Sequence, residues 1–347
     1  MIRLSVIIPM YNVENYVERC LRSLENQNIP ESHFEIICIN DGSKDNSREV
    51  VIRMQQEFKN IYLIDQQNQG VSRARNNGIK KAVGKYVLFI DPDDYVKQDS
   101  LNELLRITEE KNAQVSISGF SILNHAGNLQ KNVEYKQFCN VLYPGIEAYF
   151  HARGDGWSDP DRTWGILFEK DFIINNELYY LPEVPYLEDG EYIARVMSVA
   201  ENCLFIDQVF YIRTTRHGSA TNSNLFYSDA AINGFILAAT NLQNFKKKTI
   251  KNQEQKDFIN QPIVKFVILS IDSSIRLFRF KTFLNTYSKL KANEFRKLDL
   301  NGCNRYYTRL GTFFNISGYL LYSYYMVKKP VGSIWKTMKK FRRLITE

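Results

Sequence analysis

The sequence predicts an α/β protein in which a mostly parallel sheet is flanked by helices on both faces and followed by a helical C-terminal region. Three observations predict it. Short apolar runs alternate with helix-patterned stretches roughly every 30 residues, the length of a β-α-β unit. Two of those runs stop on acids, at Asp41 and at Asp91-Pro92-Asp93-Asp94, and sheets of this kind bind ligands at the carboxyl ends of their strands. Beyond about residue 222 the alternation gives way to helical stretches rich in Phe, Tyr and Lys. At 347 residues the chain exceeds one ordinary core. Two units are therefore expected, residues 1–220 and residues 221–347.

Leu4-Ser5-Val6-Ile7-Ile8-Pro9 is a short β-branched run and reads as a buried strand. Residues 14–26 then place Val17, Cys20, Leu21 and Leu24 at helical spacing. A second strand, Phe34-Glu35-Ile36-Ile37-Cys38-Ile39, ends on Asn40-Asp41-Gly42-Ser43, and Asp45-Asn46-Ser47 opens a helix reaching about Phe58. Ile61-Tyr62-Leu63-Ile64 is the third strand, residues 71–82 the next helix, and Tyr86-Val87-Leu88-Phe89-Ile90 the fourth strand. Residues 101–111 read as a helix and 114–118 as a strand, with His125-Ala126-Gly127-Asn128 at the tip of a hairpin. Residues 154–162, with Trp157 and Pro160, read as an active-site loop or an insertion. Glu188-Asp189-Gly190-Glu191 leads into a helix ending near Ala200, and a strand over 204–213 closes the unit.

Composition excludes several classes. A hydrophobic fraction of 44% excludes a disordered chain. The five cysteines are scattered without a C-x-x-C pair, which argues against a disulfide framework and a structural zinc site. His33, His125, His151 and His217 are equally dispersed, so no histidine cluster offers a metal site or a triad. Residues 328–347 carry seven basic residues and one acid, which places +6 of the formal +7 in a tail. A nucleic-acid binder would spread its charge over a face. Leu4 to Pro9 is too short for a secretory signal, and the chain is expected in the cytosol.

The acids carry the chemistry. Like-charged carboxylates this close raise one another's pKa unless a positive group sits among them. Mn²⁺ or Mg²⁺ takes one or two protein carboxylates and completes its shell with water and phosphate, so Asp91 and Asp93 read as a metal-diphosphate site. The plainer alternative is that Asp93-Asp94 start a turn and cap the helix that follows. Glu188 and Asp189 likewise have a plain reading, as acids complementing a helix N-terminus. Arg73 and Arg75 lie two apart and cannot share a helical face, so one serves the site and the other solvent.

Five stretches in order resemble the GT-A fold, family 2 glycosyltransferases. They are Ser5-Val6-Ile7-Ile8-Pro9-Met10-Tyr11-Asn12, Ile39-Asn40-Asp41-Gly42-Ser43, Asn68-Gln69-Gly70-Val71-Ser72-Arg73-Ala74-Arg75-Asn76-Asn77-Gly78, the Asp91 to Asp94 cluster, and Glu188-Asp189. The resemblance implies a GT-A (Rossmann-like) domain over residues 1–220. It implies an inverting transfer of a hexosyl or N-acetylhexosaminyl group from a nucleotide diphosphate donor, a UDP-sugar, to a hydroxyl of a glycan or lipid-linked acceptor. Pro9 and Tyr11 would line the nucleotide pocket, and Asp41 would accept from the base. Arg75 and Asn76 would meet phosphate or hold the acids. Asp91 would lie near the ribose, Asp93 would ligate the metal, and Asp94 would support them. Asp189 would be the catalytic base and Glu188 would position the acceptor. Arg213 and Arg216 would close over the diphosphate, with His217 a further metal ligand. Members often have Trp-Asn-Lys-Leu where this chain has Trp164-Gly165-Ile166-Leu167, so its acceptor contacts are expected to differ.

Two other functions fit parts of the pattern. A sugar nucleotidyltransferase would begin with a glycine-rich phosphate loop, which Ile8-Pro9-Met10-Tyr11-Asn12 lacks, and a non-catalytic nucleotide-sugar module would tolerate loss of Asp189. In the tail, Val331, Ile334, Trp335, Met338, Phe341 and Ile345 form one helical stripe among basic residues. Such a helix can lie on an anionic bilayer, which predicts peripheral contact with the cytoplasmic face of the membrane. A solvated helix packed on the rest of the chain, or a dimer contact, is the alternative.

Overall fold

The computed structural model describes residues 1–153, 160–215, 224–276 and 280–327. The chain divides into two compact units, Met1–Ser219 and Ala220–Glu347.

The first unit begins with β1 (Leu4–Met10), α1 (Val17–Glu25), β2 (Phe34–Asn40), α2 (Ser47–Glu57), β3 (Ile61–Asp65), α3 (Val71–Lys81) and β4 (Tyr86–Phe89). It continues through β5 (Tyr95–Val96), α4 (Leu101–Glu110), β6 (Val115–Leu123), β7 (Leu129–Val133), β8 (Leu142–Tyr143) and α5 (Gly145–Arg153). β9 (Ile166–Glu169), α6 (Lys170–Asn175), α7 (Glu188–Val199) and β10 (Cys203–Thr214) complete it. The strands form one sheet in the order β3-β2-β1-β4-β9-β6-β10-β5, with β7 beside β6 and β8 beside β10.

β3, β2, β1 and β4 are parallel, as are β6 and β10. β9 runs antiparallel between β4 and β6, which makes the complete sheet mixed. Nothing in the apolar pattern announces β9. It is four residues long and follows Gly165, whose φ of +68° turns the chain into it. The hairpin expected at residues 125–128 joins β6 to β7, with Gly127 at φ +79°.

β1 and β2 are buried at every position because both faces are covered, and their sequences are correspondingly apolar throughout. Val6 and Ile8 pack in one core cluster with Val17, Cys20, Leu21 and Leu24 of α1 and Val51 and Met54 of α2. Full burial of each such aliphatic side chain contributes about 1.5–3 kcal/mol. On the opposite face α3 lies so close to β1 that a Cβ on Gly78 would fall 2.4 Å from Ile7 Cγ2. Pro9 lacks an N–H, and it sits beyond the β1–β4 register, which ends at Ile7 and Phe89. The chain leaves β1 toward β2 and β3 on one side and returns to β4 on the other. The crevice at the carboxyl ends of β1 and β4 is therefore a topological switch point.

The second unit contains α8 (Asp229–Lys248), α9 (Gln253–Arg276), α10 (Phe280–Ala292), α11 (Arg305–Ile316) and a helix over 318–327. Ser228 caps α8 through Ala231 N–H, and Asn304 caps α11 through Tyr307 N–H. Among the described residues, one stretch, Gln253–Ile275, is long and apolar enough to cross a membrane, and 83% of its most apolar window is buried inside the protein. Residues 330–347, the proposed amphipathic helix, lie outside the described residues.

Candidate functional site

The switch-point rim is built from strand ends and helix starts. β1 delivers Pro9 and Tyr11, of which Pro9 is buried and Tyr11 exposed. β2 delivers Asp41, buried, with both carboxylate oxygens engaged. Gln66 Nε2 and Gln69 N–H donate to Oδ1 at 2.7 and 2.8 Å, and Gly70 N–H donates to Oδ2 at 2.8 Å. Asp41 thus lashes the 66–70 loop to the end of β2. Gly70, at φ +86°, then starts α3, a backbone conformation that favours glycine.

Arg75 on α3 is 3% exposed. Its Nη2 donates to Asp91 Oδ1 at 3.1 Å, and its Nη1 donates to Glu188 Oε1 at 3.1 Å and Asp189 Oδ1 at 3.0 Å. The guanidinium also lies 5.0 Å from the Tyr180 ring centroid. One cation therefore serves three carboxylates that come from two separate parts of the sequence. Burial opposes the charge of Arg75, yet Asp189, Tyr180, Asp91 and Glu188 together hold it firmly protonated. Burial, followed by Asp189, pushes the Glu188 carboxyl up to about 7, and burial also raises Asp189. Arg73 faces outward, 3.7 Å from Glu183. The neighbouring Asn76 spends its amide on the Tyr180 backbone, donating to Tyr180 O and accepting from Tyr180 N, each at 2.8 Å.

At the end of β4, Asp94 is buried and accepts from Tyr211 Oη at 2.6 Å and Thr214 N–H at 2.7 Å. Burial, then Asp91 and Asp93, push its carboxyl up to about 8 against those two bonds. Asp91 and Asp93 remain partly exposed. The turn is fastened from outside by Arg19 of α1, whose Nη2 donates to Asp93 O at 2.7 Å, and by Thr214 Oγ1, also at 2.7 Å from Asp93 O. Two partly exposed aspartates above a buried one are hard oxygen donors suited to Mn²⁺ or Mg²⁺ that keeps phosphate and water in its shell. No group of three or more His, Cys, Asp or Glu arranged to hold a metal occurs among the described residues.

β10 places Arg213 over the Trp164 ring at 5.8 Å, and Trp164 stacks on Tyr211 with centroids 4.6 Å apart. Arg216, His217 and residues 154–159 lie outside the described residues. Sequence reasoning missed Thr163, Tyr180, Tyr211 and Arg19. Thr163 Oγ1 donates to Asp189 Oδ1 at 2.8 Å, and Tyr180 Oη donates to Thr163 Oγ1 at 2.6 Å. None of the four stands in a recognisable spacing with its partner, so no sequence signal marked them.

Comparison with known proteins gives a consistent result. Residues 5–168 match the profile described as Glycosyl transferase family 2. The Uncharacterized glycosyltransferase EpsJ of Bacillus subtilis is 30% identical over 222 residues, 62% of this chain and 62% of EpsJ. The poly(ribitol-phosphate) beta-N-acetylglucosaminyltransferase TarS of Staphylococcus aureus is 24% identical over 264 residues, 75% of this chain and 44% of TarS. This chain thus spans less than two thirds of the length of either relative. The crystal structure of TarS 1-349 in complex with UDP-GlcNAc superposes with a TM-score of 0.63 at 19% identity, covering 84% of this chain and 81% of that one. The mannosyltransferase PcManGT from Pyrobaculum calidifontis, in complex with GDP-Man and Mn²⁺, superposes with a TM-score of 0.52 at 12% identity, covering 94% and 86%. At these identities the two structures establish the fold.

Proposed function

From the match of residues 5–168 to glycosyl transferase family 2, we propose that residues 1–220 transfer a sugar with inversion from a UDP-sugar to a hydroxyl of a glycan or lipid-linked acceptor. The observation that carries this reading is the Arg75 fork, which joins an acid at the end of β4 to the acid pair that opens α7. A metal-dependent inverting transfer uses two acidic stations, one to hold the metal at the donor diphosphate and one to take the acceptor proton.

In this reading the nucleotide lies along Pro9, Tyr11 and the Asp41-lashed loop, which presents ordered backbone beside the base. Asp93, with Asp91 and with His217 as a further candidate, would hold Mn²⁺ or Mg²⁺, which supplies charge neutralisation for the diphosphate. Arg213 and Arg216 stand for the same task on the protein side. Asp189 takes the proton of the acceptor hydroxyl while Glu188 orients that hydroxyl. Arg75 keeps Asp189 ionised in a buried setting that otherwise favours the neutral acid. Binding both substrates against one rigid rim supplies the alignment of attacker and leaving group.

TarS is named for a poly(ribitol-phosphate) acceptor, and a cell-surface polymer or glycolipid is the acceptor class we assign here. The basic tail supports peripheral contact with the anionic cytoplasmic face of a membrane, where such acceptors are built. The test is thermal stabilisation by UDP, GDP, dTDP and CMP, each with and without Mn²⁺. A metal-dependent rise with UDP that is lost in Asp93→Ala is expected, since a ligand that binds only the folded state raises its stability. No metal-dependent rise with any nucleotide would overturn the metal-diphosphate assignment.

A further inference from the structure

Two carboxylates, Glu188 and Asp189, stand side by side at the start of α7 and both accept from the same Arg75 Nη1, at 3.1 and 3.0 Å. Arg75 alone therefore gives no reason for one rather than the other to be the base. The distinction comes from the wall behind them. Thr163 is fully buried, and its hydroxyl lies 2.8 Å from Asp189 Oδ1 and 2.6 Å from Tyr180 Oη. An ionised carboxylate cannot donate, so Thr163 must give its single hydrogen to Asp189 and take its own bond from Tyr180. The relay has one polarity, Tyr180 to Thr163 to Asp189.

Tyr180 is itself immobilised. Its ring stacks on Tyr192 with centroids 4.2 Å apart and planes at 5°, and it meets Phe89 edge-on at 5.4 Å. Asn76 clamps its backbone from both sides. Among the described residues Glu188 has no such hydroxyl donor. Among the described residues it receives Arg75 and its own backbone. Asp189 Oδ1 thus carries two hydrogen bonds, whereas Oδ2 accepts none from the described residues, and the side chain keeps 16% of its surface exposed.

We propose that Thr163, held by Tyr180, is the positioning residue that makes Asp189 rather than Glu188 the proton acceptor and leaves Asp189 Oδ2 as the atom that takes the proton. This rests on the transferase reading above. In the step, the acceptor O–H proton passes to Oδ2 and the acceptor oxygen bonds to the anomeric carbon. The bond from that carbon to the diphosphate breaks, and its electron pair leaves with the diphosphate. The direction of the carboxyl shifts agrees. Burial and Asp189 carry Glu188 up to about 7, while the Thr163 bond counters the rise in Asp189. The charged and titratable groups facing Asp189 are Arg75 from α3, Asp91 from the end of β4, Asp161, Tyr180, and Glu188 and Tyr192 of α7.

The test is a ¹³C carboxyl titration of the full chain without metal or donor, with the two signals assigned through Asp189→Asn and Glu188→Gln. Thr163→Val should raise the Asp189 midpoint by about 1 pH unit or more, the scale of one lost bond to a charged group, and should lower that of Glu188. Thr163→Ser should restore both, and Tyr180→Phe should move them in the same sense as Thr163→Val by less. The acid limb of kcat/KM should follow the Asp189 midpoint, with KM for the donor unchanged. Unaltered midpoints in folded Thr163→Val, or failure of Thr163→Ser to restore them, overturn the proposal. Midpoints that move while the acid limb stays fixed overturn Asp189 as the selected base. Midpoints that move in a protein that transfers no sugar uphold the relay and count against the transferase reading instead.

Discussion

Replacing Arg75 by methionine keeps most of the volume and removes the only cation bonded to Asp91, Glu188 and Asp189 among the described residues. The guanidinium is 3% exposed and makes three charge-assisted bonds of 3.0–3.1 Å. Taking one partner from a buried ionic cluster costs about 3–5 kcal/mol, because the remaining charges stay behind unpaired. With a urea m-value of about 2–3 kcal/mol/M, the midpoint at pH 7.5 should fall by roughly 1–2.5 M. The pH dependence supplies the sharper check. Burial pushes the Glu188 and Asp94 carboxyls up to about 7 and about 8 in the folded protein, from ordinary values of 4.5 and 3.8. The native state therefore binds more protons than the unfolded chain between those limits, and stability falls as pH rises through that window. In Arg75→Met the Glu188 and Asp189 carboxylates lose the cation that favours their charged forms and take up protons more readily, so the deficit should shrink at pH 5.5. Urea unfolding of wild type and variant at both pH values measures it. A deficit under about 1 kcal/mol, or one equal at pH 5.5 and 7.5, would refute an electrostatic role and leave Arg75 as packing.

Asp41→Asn turns an amide N–H₂ toward the backbone donors of the 66–70 loop, and it should cost about 1–3 kcal/mol while lowering UDP affinity; thermal melts with and without UDP measure both. Tyr211→Phe removes the 2.6 Å bond to Asp94 and the acceptor for Asp91 N–H. Because that bond favours ionised Asp94, its loss should move the alkaline fall in stability to higher pH, as read from melting temperature between pH 6 and 9.

The sheet was legible wherever burial on both faces forces a continuous apolar run. The runs read at residues 4–9, 34–39 and 61–64 became Leu4–Met10, Phe34–Asn40 and Ile61–Asp65, each within two residues at either end. β9 was not legible, because a four-residue strand entered through a left-handed glycine carries no period of its own. In the site, the acids and Arg75 stand at strand ends and on two helices, α3 and the start of α7, where type and position are informative. Thr163, Tyr180 and Tyr211 act through hydroxyls brought together from distant sequence positions, and an isolated Thr or Tyr in an apolar stretch looks the same whether its hydroxyl is idle or engaged. The Asn76 amide was expected at the nucleotide, and its two bonds to Tyr180 could only be seen once residues 76 and 180 were adjacent.

Helix α3 is anchored at three heights. Asp41 ties down the Gly70 end, Asn76 is clamped to Tyr180 at mid-length, and Gly78 is pressed to Ile7 lower down. Arg75 sits between these anchors and cannot slide or turn without breaking one of them. The spacing between the donor acids and the acceptor acids is thereby set by the span of one guanidinium, a fixed molecular gauge rather than an adjustable gap. New donor or acceptor preferences can accordingly be sought in the loops around the rim, whereas changes along α3 would alter the gauge itself and with it every reaction the rim supports.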